Sequence, residues 1–349
     1  MAKFKIITAA GAAVAAAGSS YDFEMEALEG VDVEIVDGPV DKEDAFVAAA
    51  KDADAIYARG GMLITKKIID SLAHCRVIAL GSVGVDQVDV AAATARGIPV
   101  TNCPDTFIEE VADHAMTLLL SAFRRVIEQD RMVREGRWRE GRPALLKIPR
   151  LMGQTLGFIA FGHVARAVSI RARAFGLRLM AYDPYIEEMM MHEHGVLPAT
   201  LAEVLQQSDF ISMHAPATPE ARGMLKDKHF AQMKKSAIFI NTGRGPTVDE
   251  AALIKALQEG HIAHAALDVL EQEPPKPDNP LFGMRNVTLS PHNASATARF
   301  DPARKRRVGQ ELALSLAGKW PMSCVNPAVL AKSDLERWQP VSMQRGPNS

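Results

Sequence analysis

The sequence has few cysteines and no long apolar segment. Its three cysteines, Cys75, Cys103 and Cys324, are widely separated, so they form neither a disulfide framework nor a metal-ligand spacing. This usage is typical of a reducing cytoplasm, which we expect as the location, and we predict no metal cofactor. No run of about 18 apolar residues is present, so we expect no membrane-spanning helix.

A large charge of either sign is absent as well. The 349 residues have a formal net charge of −2, which gives no electrostatic reason to expect nucleic acid or an anionic membrane as a partner. The basic cluster at 304–307 does not change this, because its side chains would spread around a helix as a solvated face. With 48% hydrophobic residues, a chain of this length has room for two domains, each with its own core.

The N-terminal residues allow two interpretations. A basic start, an apolar middle and a run of small residues imitate a secretory signal peptide. Alternatively, Lys3 to Thr8 form the first buried strand, and the following alanine- and glycine-rich tract is a loop that leads into a helix. We favour the strand, because alanine is only mildly apolar and makes a poor signal-peptide core.

Strand-like and helix-like segments alternate along most of the chain. Apolar runs of strand length begin at Phe4, Val31, Ala55, Val77 and Pro99, and segments with helical spacing separate most of them. The same rhythm continues in the second half. This alternation predicts an α/β protein built on parallel sheets that are covered by helices.

Three further stretches differ from this rhythm. Glu109 to Glu135 contains no proline or glycine and predicts one long helix with at most one break. We interpret His114 within it as structural. Gly136 to Arg150 predicts a surface excursion, and we expect the tail after Leu330 to be loosely ordered.

The central stretch 153–184 predicts a strand, a tight turn, a helix and a second strand. The turn at 160–165 matches a dinucleotide-binding pattern, and it places Gly162 where the backbone would approach a pyrophosphate at the helix N-terminus. Ala160 replaces the first glycine of the pattern, so its φ is either negative or strained. Asp183 follows Gly162 by 21 residues, where a carboxylate accepts hydrogen bonds from the ribose of NAD. No arginine adjoins Asp183, which favours NAD over NADP.

Two glycine-containing loops follow predicted strands in the first half, at 59–61 and 81–86. Ligands bind parallel sheets at the carboxyl ends of their strands. Glycine would let the backbone of the second loop approach a small anion, and Arg59 in the first loop is suited to pair with a carboxylate. Each loop taken alone is more often an ordinary turn.

Polar residues also follow three predicted strands of the second half, at 241–245, 268–274 and 290–293. We therefore expect Arg244, a carboxylate from the second segment and His292 to share one pocket. Reduction of a 2-keto acid needs a proton donor, which histidine provides near neutral pH. A carboxylate raises the pKa of that histidine, and arginine grips the substrate carboxylate. The alternative is a capping histidine, an exposed acid and a surface arginine without a common function.

These segments resemble the signature regions of the D-isomer-specific 2-hydroxyacid dehydrogenase family. The similarity extends from about Ala55 to Leu330. Besides the dinucleotide turn, the motifs in family order are G-V-D at 84–86, R-G-I-P-V-T-N at 96–102, V-A-D-H at 111–114, H-A-P-A-T-P-E at 214–220, N-T-G-R-G at 241–245, A-L-D-V-L-E-Q-E-P at 266–274 and S-P-H-N-A-S at 290–295.

The resemblance implies an NAD-dependent D-2-hydroxyacid dehydrogenase that acts mainly as a 2-keto acid reductase. The family's catalytic arginine, glutamate and histidine fall on Arg244, Glu273 and His292. Glu271 is a rival for the acid, but the family's glutamate directly precedes a proline, as Glu273 does here.

The resemblance also implies two sets of binding residues. The coenzyme contacts fall on Gly162, His163, Val164, Asp183, Thr242, Gly243 and Asp268. The resemblance places Val83 and Gly84 at the substrate carboxylate, and Arg59, which is suited to pair with a carboxylate, remains a candidate substrate contact from its own loop.

The family's architecture implies two Rossmann-like parallel-sheet domains. An NAD-binding Rossmann domain, residues 103–292, would be inserted into a flavodoxin-like substrate domain formed by 1–102 and 293–349. The hinges would lie near Cys103 and Asn293. The family's usual assembly is a homodimer joined through the coenzyme domains.

Some residues depart from the family pattern. Ala160 is one, and Gly243 stands where the family commonly has alanine. Phe107 stands where phosphoglycerate dehydrogenases have asparagine, which favours a small or apolar substrate side chain over a phosphorylated one. The regions 103–113 and 320–330 also resemble NAD-sensing transcriptional corepressors of the family. An NAD-sensing interaction protein with vestigial activity is therefore the alternative function.

Overall fold

The computed structural model describes residues 3–10 and 20–337. The chain divides into two compact units, one formed by 1–106 with 298–349 and the other by 107–297. These boundaries lie four and five residues after those expected from the sequence. Hydrogen bonds account for the difference: the Cys103 amide donates to the Ser82 carbonyl within the first unit, and the amides of Asn293 and Ala294 donate to Asp268 within the second.

The strands, in chain order, are β1 (Phe4–Ala10), β2 (Val33–Asp37), β3 (Ala55–Arg59), β4 (Val77–Leu80), β5 (Val100–Thr101), β6 (Thr155–Ile159), β7 (Arg178–Tyr182), β8 (Leu197–Pro198), β9 (Phe210–Met213), β10 (Ile238–Asn241), β11 (His264–Leu267) and β12 (Val287–Leu289). The helices are α1 (Asp22–Ala27), α2 (Glu43–Ala50), α3 (Lys66–Ser71), α4 (Val90–Ala95), α5 (Ile108–Arg124), α6 (Val126–Arg134), α7 (Trp138–Leu145), α8 (His163–Ala174), α9 (Glu188–Glu193), α10 (Leu201–Gln207), α11 (Asp227–Phe230), α12 (Glu250–Gln258) and α13 (Phe300–Leu316). Short 3₁₀ turns are Gly245–Thr247, Pro280–Gly283 and Pro327–Lys332.

The first unit is built on a five-stranded parallel sheet in the order β2-β1-β3-β4-β5. This is the flavodoxin-like order of a doubly wound sheet. Strands β3 and β4 are apolar at nearly every position because helices cover both of their faces. Successive side chains alternate between two cores: Ile56 packs in one, and Tyr57 packs in the other with residues of α13. The expected first strand is confirmed, because β1 pairs with both β2 and β3.

The second unit is built on a seven-stranded parallel sheet in the order β12-β11-β10-β9-β6-β7-β8. The strand order reverses at β6, which pairs with β7 on one side and β9 on the other. The carboxyl ends of these strands form the crevice in which such sheets bind dinucleotides. Phe158 packs toward α5 and α8, whereas its neighbour Ile159 packs in the core on the opposite face. The predicted α/β class with two Rossmann-like parallel sheets is confirmed.

The long helix predicted at 109–135 is broken once. Helix α5 ends at Arg124, Arg125 adopts left-handed backbone angles (φ 53°), and α6 begins at Val126. Charged residues give no local signal for this break, since arginine is a good helix former. The predicted surface excursion at 136–150 contains helix α7 despite Pro143 within it.

The segment after Leu330 was expected to be loosely ordered, and its described part is not. The Trp320 indole donates to the Leu335 carbonyl at 2.8 Å, and the Lys319 ammonium pairs with Glu336 at 2.7 Å. These contacts attach the chain up to residue 337 to the end of α13. The remaining residues, 338–349, lie outside the described part of the chain, as does most of the alanine- and glycine-rich tract at 11–19.

The basic cluster at 304–307 is engaged in intramolecular contacts rather than forming a solvated face. Arg304 pairs with Asp301 at 2.6 Å, Arg306 with Glu26 at 3.0 Å, and Arg307 with both Asp105 and Glu311. The Lys305 ammonium donates to a backbone carbonyl of the segment before α1. Across the described ranges, no helix is both long and apolar enough to cross a membrane.

Candidate active site

The turn after β6 has the geometry of an anion-binding helix N-terminus. Gly162 caps α8 with extended backbone angles (φ −73°, ψ −164°). A Cβ built on Gly162 would meet no protein atom within 4 Å, so the space beside it is open. The first amides of a helix have no partners within the helix and attract negative charge. The sequence left a negative or a strained φ open for Ala160. The structure shows φ 68°, so the backbone is strained there.

Asp183 lies at the carboxyl end of β7, directly after Tyr182. Its Oδ2 atom accepts the Phe161 amide at 2.8 Å, and its Oδ1 atom accepts the Tyr185 amide at 2.8 Å. The two bonds fix the carboxylate beside the glycine turn. Each oxygen retains acceptor capacity for a ribose hydroxyl.

Two residues follow Gly162 at the start of α8. His163 is exposed, and Val164 is half-buried against the core between α5 and α8. The Arg166 guanidinium lies 3.1 Å from His163 Nδ1 and also donates to the Gly162 carbonyl. Because arginine only donates, His163 Nδ1 accepts, and the ring proton is on Nε2. The exposed His163 ring therefore has an N–H donor at Nε2.

The loop after β10 contains a buried hydroxyl that has no partner. Thr242 is 7% exposed, and its Oγ1 atom makes no hydrogen bond within the described chain. Buried hydroxyls are usually paired, so this atom fits a bound ligand. Asn241 orders the loop: its Oδ1 atom accepts the Gly243 amide at 3.0 Å, and its Nδ2 atom donates to the Arg244 carbonyl. With the open space at Gly162, this orphaned hydroxyl fits the dinucleotide predicted from the sequence.

His292 and Glu273 form a direct pair. His292 Nδ1 lies 2.5 Å from Glu273 Oε2, and the second oxygen of Glu273 accepts the Leu270 amide at 3.0 Å. Both side chains are partly exposed. His292 has φ 48°, a left-handed backbone conformation that is uncommon for non-glycine residues. The pair leaves Nε2 of His292 available to exchange a proton with a substrate.

The electrostatics of this pair match the predicted role. The hydrogen bond and charge of Glu273 raise the pKa of His292, although partial burial and the Arg244 cation act in the opposite direction. Burial alone would raise the pKa of Glu273, but hydrogen bonds from His292 and Leu270 and the Arg244 charge outweigh it and lower the pKa. A charged imidazolium–carboxylate pair is thus favoured.

Arg244 lies in the same loop system. Gly245 packs so closely on the segment after β11 that a Cβ there would lie 1.8 Å from the Leu270 carbonyl oxygen. Only glycine allows this approach, which brings the Arg244 loop to the segment that includes Glu273. Glu271, the rival acid, points elsewhere: its carboxylate accepts the Glu250 amide at the start of α12.

A further group of polar residues lies behind the pair. Asp268 is 2% exposed, and its carboxylate accepts the Ser290 hydroxyl at 2.6 Å and the amides of Asn293 and Ala294 at 3.0 Å each. His114 Nε2 lies 2.8 Å from Ser290 Oγ. The sequence interpretation gave Ser290 no role of its own and set His114 aside as structural. Both residues lie within motifs shared with the family, at 290–295 and 111–114, and those motifs were the available signal.

Two other histidines, His214 and His264, are poor candidates for acid–base catalysis. Burial lowers the pKa of His214 to about 4, and that of His264 also to about 4. Both rings are therefore neutral near pH 7 and are unsuited to deliver a proton. Across the described residues, no cluster of three or more histidine, cysteine, aspartate or glutamate side chains is arranged to hold a metal ion.

In the first unit, Arg59 ends β3 and is 8% exposed. Its Cζ atom lies 5.1 Å from the centre of the Tyr21 ring and 5.4 Å from that of Tyr57. Its Nε and Nη1 atoms have no hydrogen-bond partner within the described residues. A buried guanidinium with unused donors fits a carboxylate ligand.

Val83 and Gly84 lie in the loop after β4, which is held at two points. The Ser82 hydroxyl donates to the Gly84 carbonyl at 2.6 Å, and the Asn102 amide donates to the Val83 carbonyl at 2.7 Å. Val83 itself is exposed. The loop is therefore ordered while its tip remains accessible.

The seven-stranded sheet, the glycine turn and Asp183 are typical of a dinucleotide-binding α/β protein, and the histidine–carboxylate pair of the same unit is suited to acid–base chemistry. Residues 116–294 match the model of the D-isomer specific 2-hydroxyacid dehydrogenase, NAD binding domain. The chain belongs to this family. It is an NAD-dependent oxidoreductase of the class that acts on 2-hydroxy acids.

Individual relatives agree with this assignment. The chain is 40% identical over 286 residues to a glyoxylate reductase of Korarchaeum cryptofilum, covering 82% of this chain and 86% of the relative. It is 37% identical to a D-3-phosphoglycerate dehydrogenase of Methanocaldococcus jannaschii, covering 88% of this chain but only 58% of that relative. An NADPH-dependent glyoxylate/hydroxypyruvate reductase of Sinorhizobium meliloti, solved with NADP and malonate, superposes with a TM-score of 0.78 at 30% identity, covering 97% and 100% of the two chains.

Proposed function

We propose that the protein reduces small 2-keto acids to D-2-hydroxy acids with NADH, using His292 as the general acid. The observation on which this rests is the 2.5 Å contact between His292 Nδ1 and Glu273 Oε2, which leaves Nε2 free to exchange a proton. Reduction of a ketone adds a hydride to carbon and needs a proton on oxygen; the reverse reaction removes both.

Each catalytic residue has a distinct task in this proposal. The residues proposed as coenzyme contacts would hold a nicotinamide coenzyme, and the chemistry it would supply is hydride transfer. Protonated His292 donates from Nε2 to the carbonyl oxygen, and Glu273 stabilises the imidazolium and fixes its orientation. Arg244 grips the substrate carboxylate and polarises the carbonyl with its fixed positive charge. In the oxidative direction neutral His292 takes the hydroxyl proton.

The coenzyme contacts are proposed as predicted from the sequence. The amides at Gly162, His163 and Val164 would bind the pyrophosphate, and the open space at Gly162 supports this. Asp183 would accept from the ribose. The loop with Thr242 and Gly243 and the residue Asp268 complete the set: the unpaired Thr242 hydroxyl supports the loop's role, whereas the Asp268 carboxylate already accepts three hydrogen bonds within the protein.

The first unit is proposed as the substrate domain and the second as the coenzyme domain. Arg59 and the backbone at Val83 and Gly84 would bind the substrate carboxylate, which the unused donors of Arg59 support. Phe107 is buried and favours a small or apolar substrate side chain. The relative that is 40% identical is called a glyoxylate reductase, so glyoxylate is the first substrate to test.

We further propose a homodimer in the cytoplasm. Helices α6 and α7 and the residue after them expose apolar side chains that a monomer would leave in water, namely Val126, Ile127, Val133, Trp138 and Leu146. Trp138 and Leu146 are each 75% exposed. Such clustered exposure supports a protein interface in the second unit. The three cysteines are free thiols, as is usual in a reducing compartment.

A substrate panel tests the proposal. Oxidation of NADH is followed with glyoxylate, hydroxypyruvate, pyruvate and phenylpyruvate, and the product's configuration is determined. We expect turnover with at least one of them and a D product. The corepressor alternative would show NADH binding with negligible turnover of all four.

Light scattering tests the proposed dimer. A monomeric wild-type protein would contradict the dimer, and Trp138→Ser should weaken it.

A further inference from the structure

We propose that His114 and Ser290 are positioning residues for the acid–base histidine. Together with Asp268 they form a hydrogen-bonded chain that connects helix α5 to the turn bearing His292. The inference rests on the role proposed above for His292. It assigns a task to two residues outside the expected catalytic set.

The direction of each hydrogen bond follows from the donors available. Asp268 accepts at its carboxylate, so the single proton of the Ser290 hydroxyl points to Asp268 Oδ1 at 2.6 Å. Ser290 Oγ must then accept from His114 Nε2, which lies 2.8 Å away. His114 Nε2 therefore bears a proton. Hydrogen bonds therefore connect His114 to Ser290 and Ser290 to Asp268, each with one donor and one acceptor.

Asp268 joins this chain to the catalytic turn. Its carboxylate accepts the amides of Asn293 and Ala294 at 3.0 Å each, and its backbone carbonyl accepts the His292 amide at 2.8 Å. Three consecutive backbone amides of the turn thus donate hydrogen bonds to Asp268. Asp268 itself is 2% exposed, so water does not compete for these bonds.

The turn needs such support because of its backbone conformation. His292 has φ 48°, a left-handed conformation that persists in a non-glycine residue only where surrounding contacts over-determine it. Helix α5 provides a rigid origin for the chain, since it is 17 residues long and packs its apolar face into the core. We infer that losing the His114 or Ser290 contact lets the turn relax and tilts the His292 ring away from Glu273.

The test compares kcat and pH profile in four variants. Ser290→Ala removes the bonds to both His114 and Asp268, whereas His114→Leu removes the bond to Ser290. We expect about a tenfold loss of kcat in each variant, since small misplacements of catalytic groups are costly. The Kd for NADH should change by less than about threefold, because the two substitutions affect the coenzyme site only indirectly. His114→Gln restores a donor near the position of Nε2 and should recover most of kcat. Thr117→Ala on the same helix is the matched control, because the exposed Thr117 hydroxyl donates to the Asp113 carbonyl of its own helix. This variant should behave as wild type.

The pH profile separates positioning from general loss of stability. Glu273 raises the pKa of His292, so a tilted ring should titrate at lower pH, and the limb at which reduction falls should move to lower pH in Ser290→Ala and His114→Leu. His114→Gln should move it back. A lowered Tm with an unmoved limb would mean that the residues only stabilise the fold, and the proposal would be wrong.

A double variant and a spectroscopic measurement complete the test. Because both residues act through one chain, His114→Leu with Ser290→Ala should lose no more kcat than the worse single variant, whereas multiplicative losses would overturn the proposal. Nitrogen-15 NMR of the wild-type protein should find a protonated Nε2 in His114. An unprotonated Nε2 of His114 would contradict the proposed hydrogen bonds, and this measurement does not depend on whether a variant folds. Absence of any keto-acid turnover in wild type would instead contradict the proposed function, and the NMR result would still decide the geometry.

Discussion

The imidazole of His292 is bonded through Nδ1 to Glu273 Oε2 at 2.5 Å, while Glu271, two residues earlier, is bonded to the Glu250 amide. Two carboxylates in one short segment therefore have different environments. One is paired with the histidine, and the other caps a helix. A substitution of Glu271 can therefore serve as the control for the same substitution of Glu273.

The first prediction concerns pH. Glu273 raises the pKa of His292, and reduction requires the protonated ring, so reduction should fall as pH rises through that raised pKa while oxidation increases. Glu273→Gln removes the charge and should shift both limbs to lower pH. Glu271→Gln should leave both limbs in place. Profiles of kcat/KM in both directions provide the measurement, and equal shifts in the two variants would contradict the assignment.

The second prediction concerns the proton donor itself. His292→Ala should lower turnover by about 10²–10⁴-fold, the usual contribution of general acid–base catalysis, with little change in NADH affinity. Single-turnover kinetics and NADH titration measure the two effects separately. Near-full turnover with an unchanged pH profile would mean that the proton comes from another group.

Arg244→Lys forms the third prediction. An ammonium cannot reproduce the two-pronged contact of a guanidinium with a carboxylate, so KM for the keto acid should rise and kcat should fall together. Arg285→Lys, at an exposed arginine of the same unit, should change neither. If Arg244→Lys kept wild-type kcat and KM, the arginine would not bind the substrate.

The fourth prediction concerns the coenzyme. The Asp183 carboxylate is held by the amides of Phe161 and Tyr185, where it should accept from the ribose and repel a 2′-phosphate. Wild type should bind NADH more tightly than NADPH. Asp183→Ala should weaken NADH about tenfold, since bonds to charged groups contribute about 1.5–3 kcal/mol, and should weaken NADPH less. Asp183→Asn removes the negative charge but keeps the size of the side chain, so it measures how much the charge contributes to the preference for NADH. Equal or tighter NADPH binding by wild type would refute the preference.

The fifth prediction uses glycines on the same βαβ unit. Gly162 has φ −73° and open space for a Cβ, so Gly162→Ala should keep the wild-type Tm but weaken NADH binding at least tenfold, because the methyl group would occupy the pyrophosphate approach. Gly157→Ala should do the reverse and lower stability, because its Cβ would lie 2.2 Å from Ser208 Oγ. Unchanged NADH binding in Gly162→Ala would place the pyrophosphate elsewhere.

The alternation of apolar runs and helical segments was sufficient to predict parallel sheets covered by helices, whereas the division into two Rossmann-like sheets followed from the family resemblance. Strands β1, β3 and β4 begin at Phe4, Ala55 and Val77, where apolar runs of strand length begin in the sequence, since burial imposes a pattern that the sequence displays directly. The short strand β8 and helices α9 and α10 were missed. Elements of two to seven residues contain too few periods to stand out, and tertiary packing stabilises them instead.

The sequence alone was also sufficient to predict that His292 meets a carboxylate, because parallel strands bring their carboxyl ends to one edge and the polar residues follow those ends. The tertiary structure decided what depends on exact backbone direction. It placed Ala160 at positive φ, directed Glu271 to a helix and Glu273 to His292, and joined His114 to Ser290 across 176 residues of chain. Hydrogen bonds between distant segments have no periodic trace in a sequence, so only the folded chain reveals them.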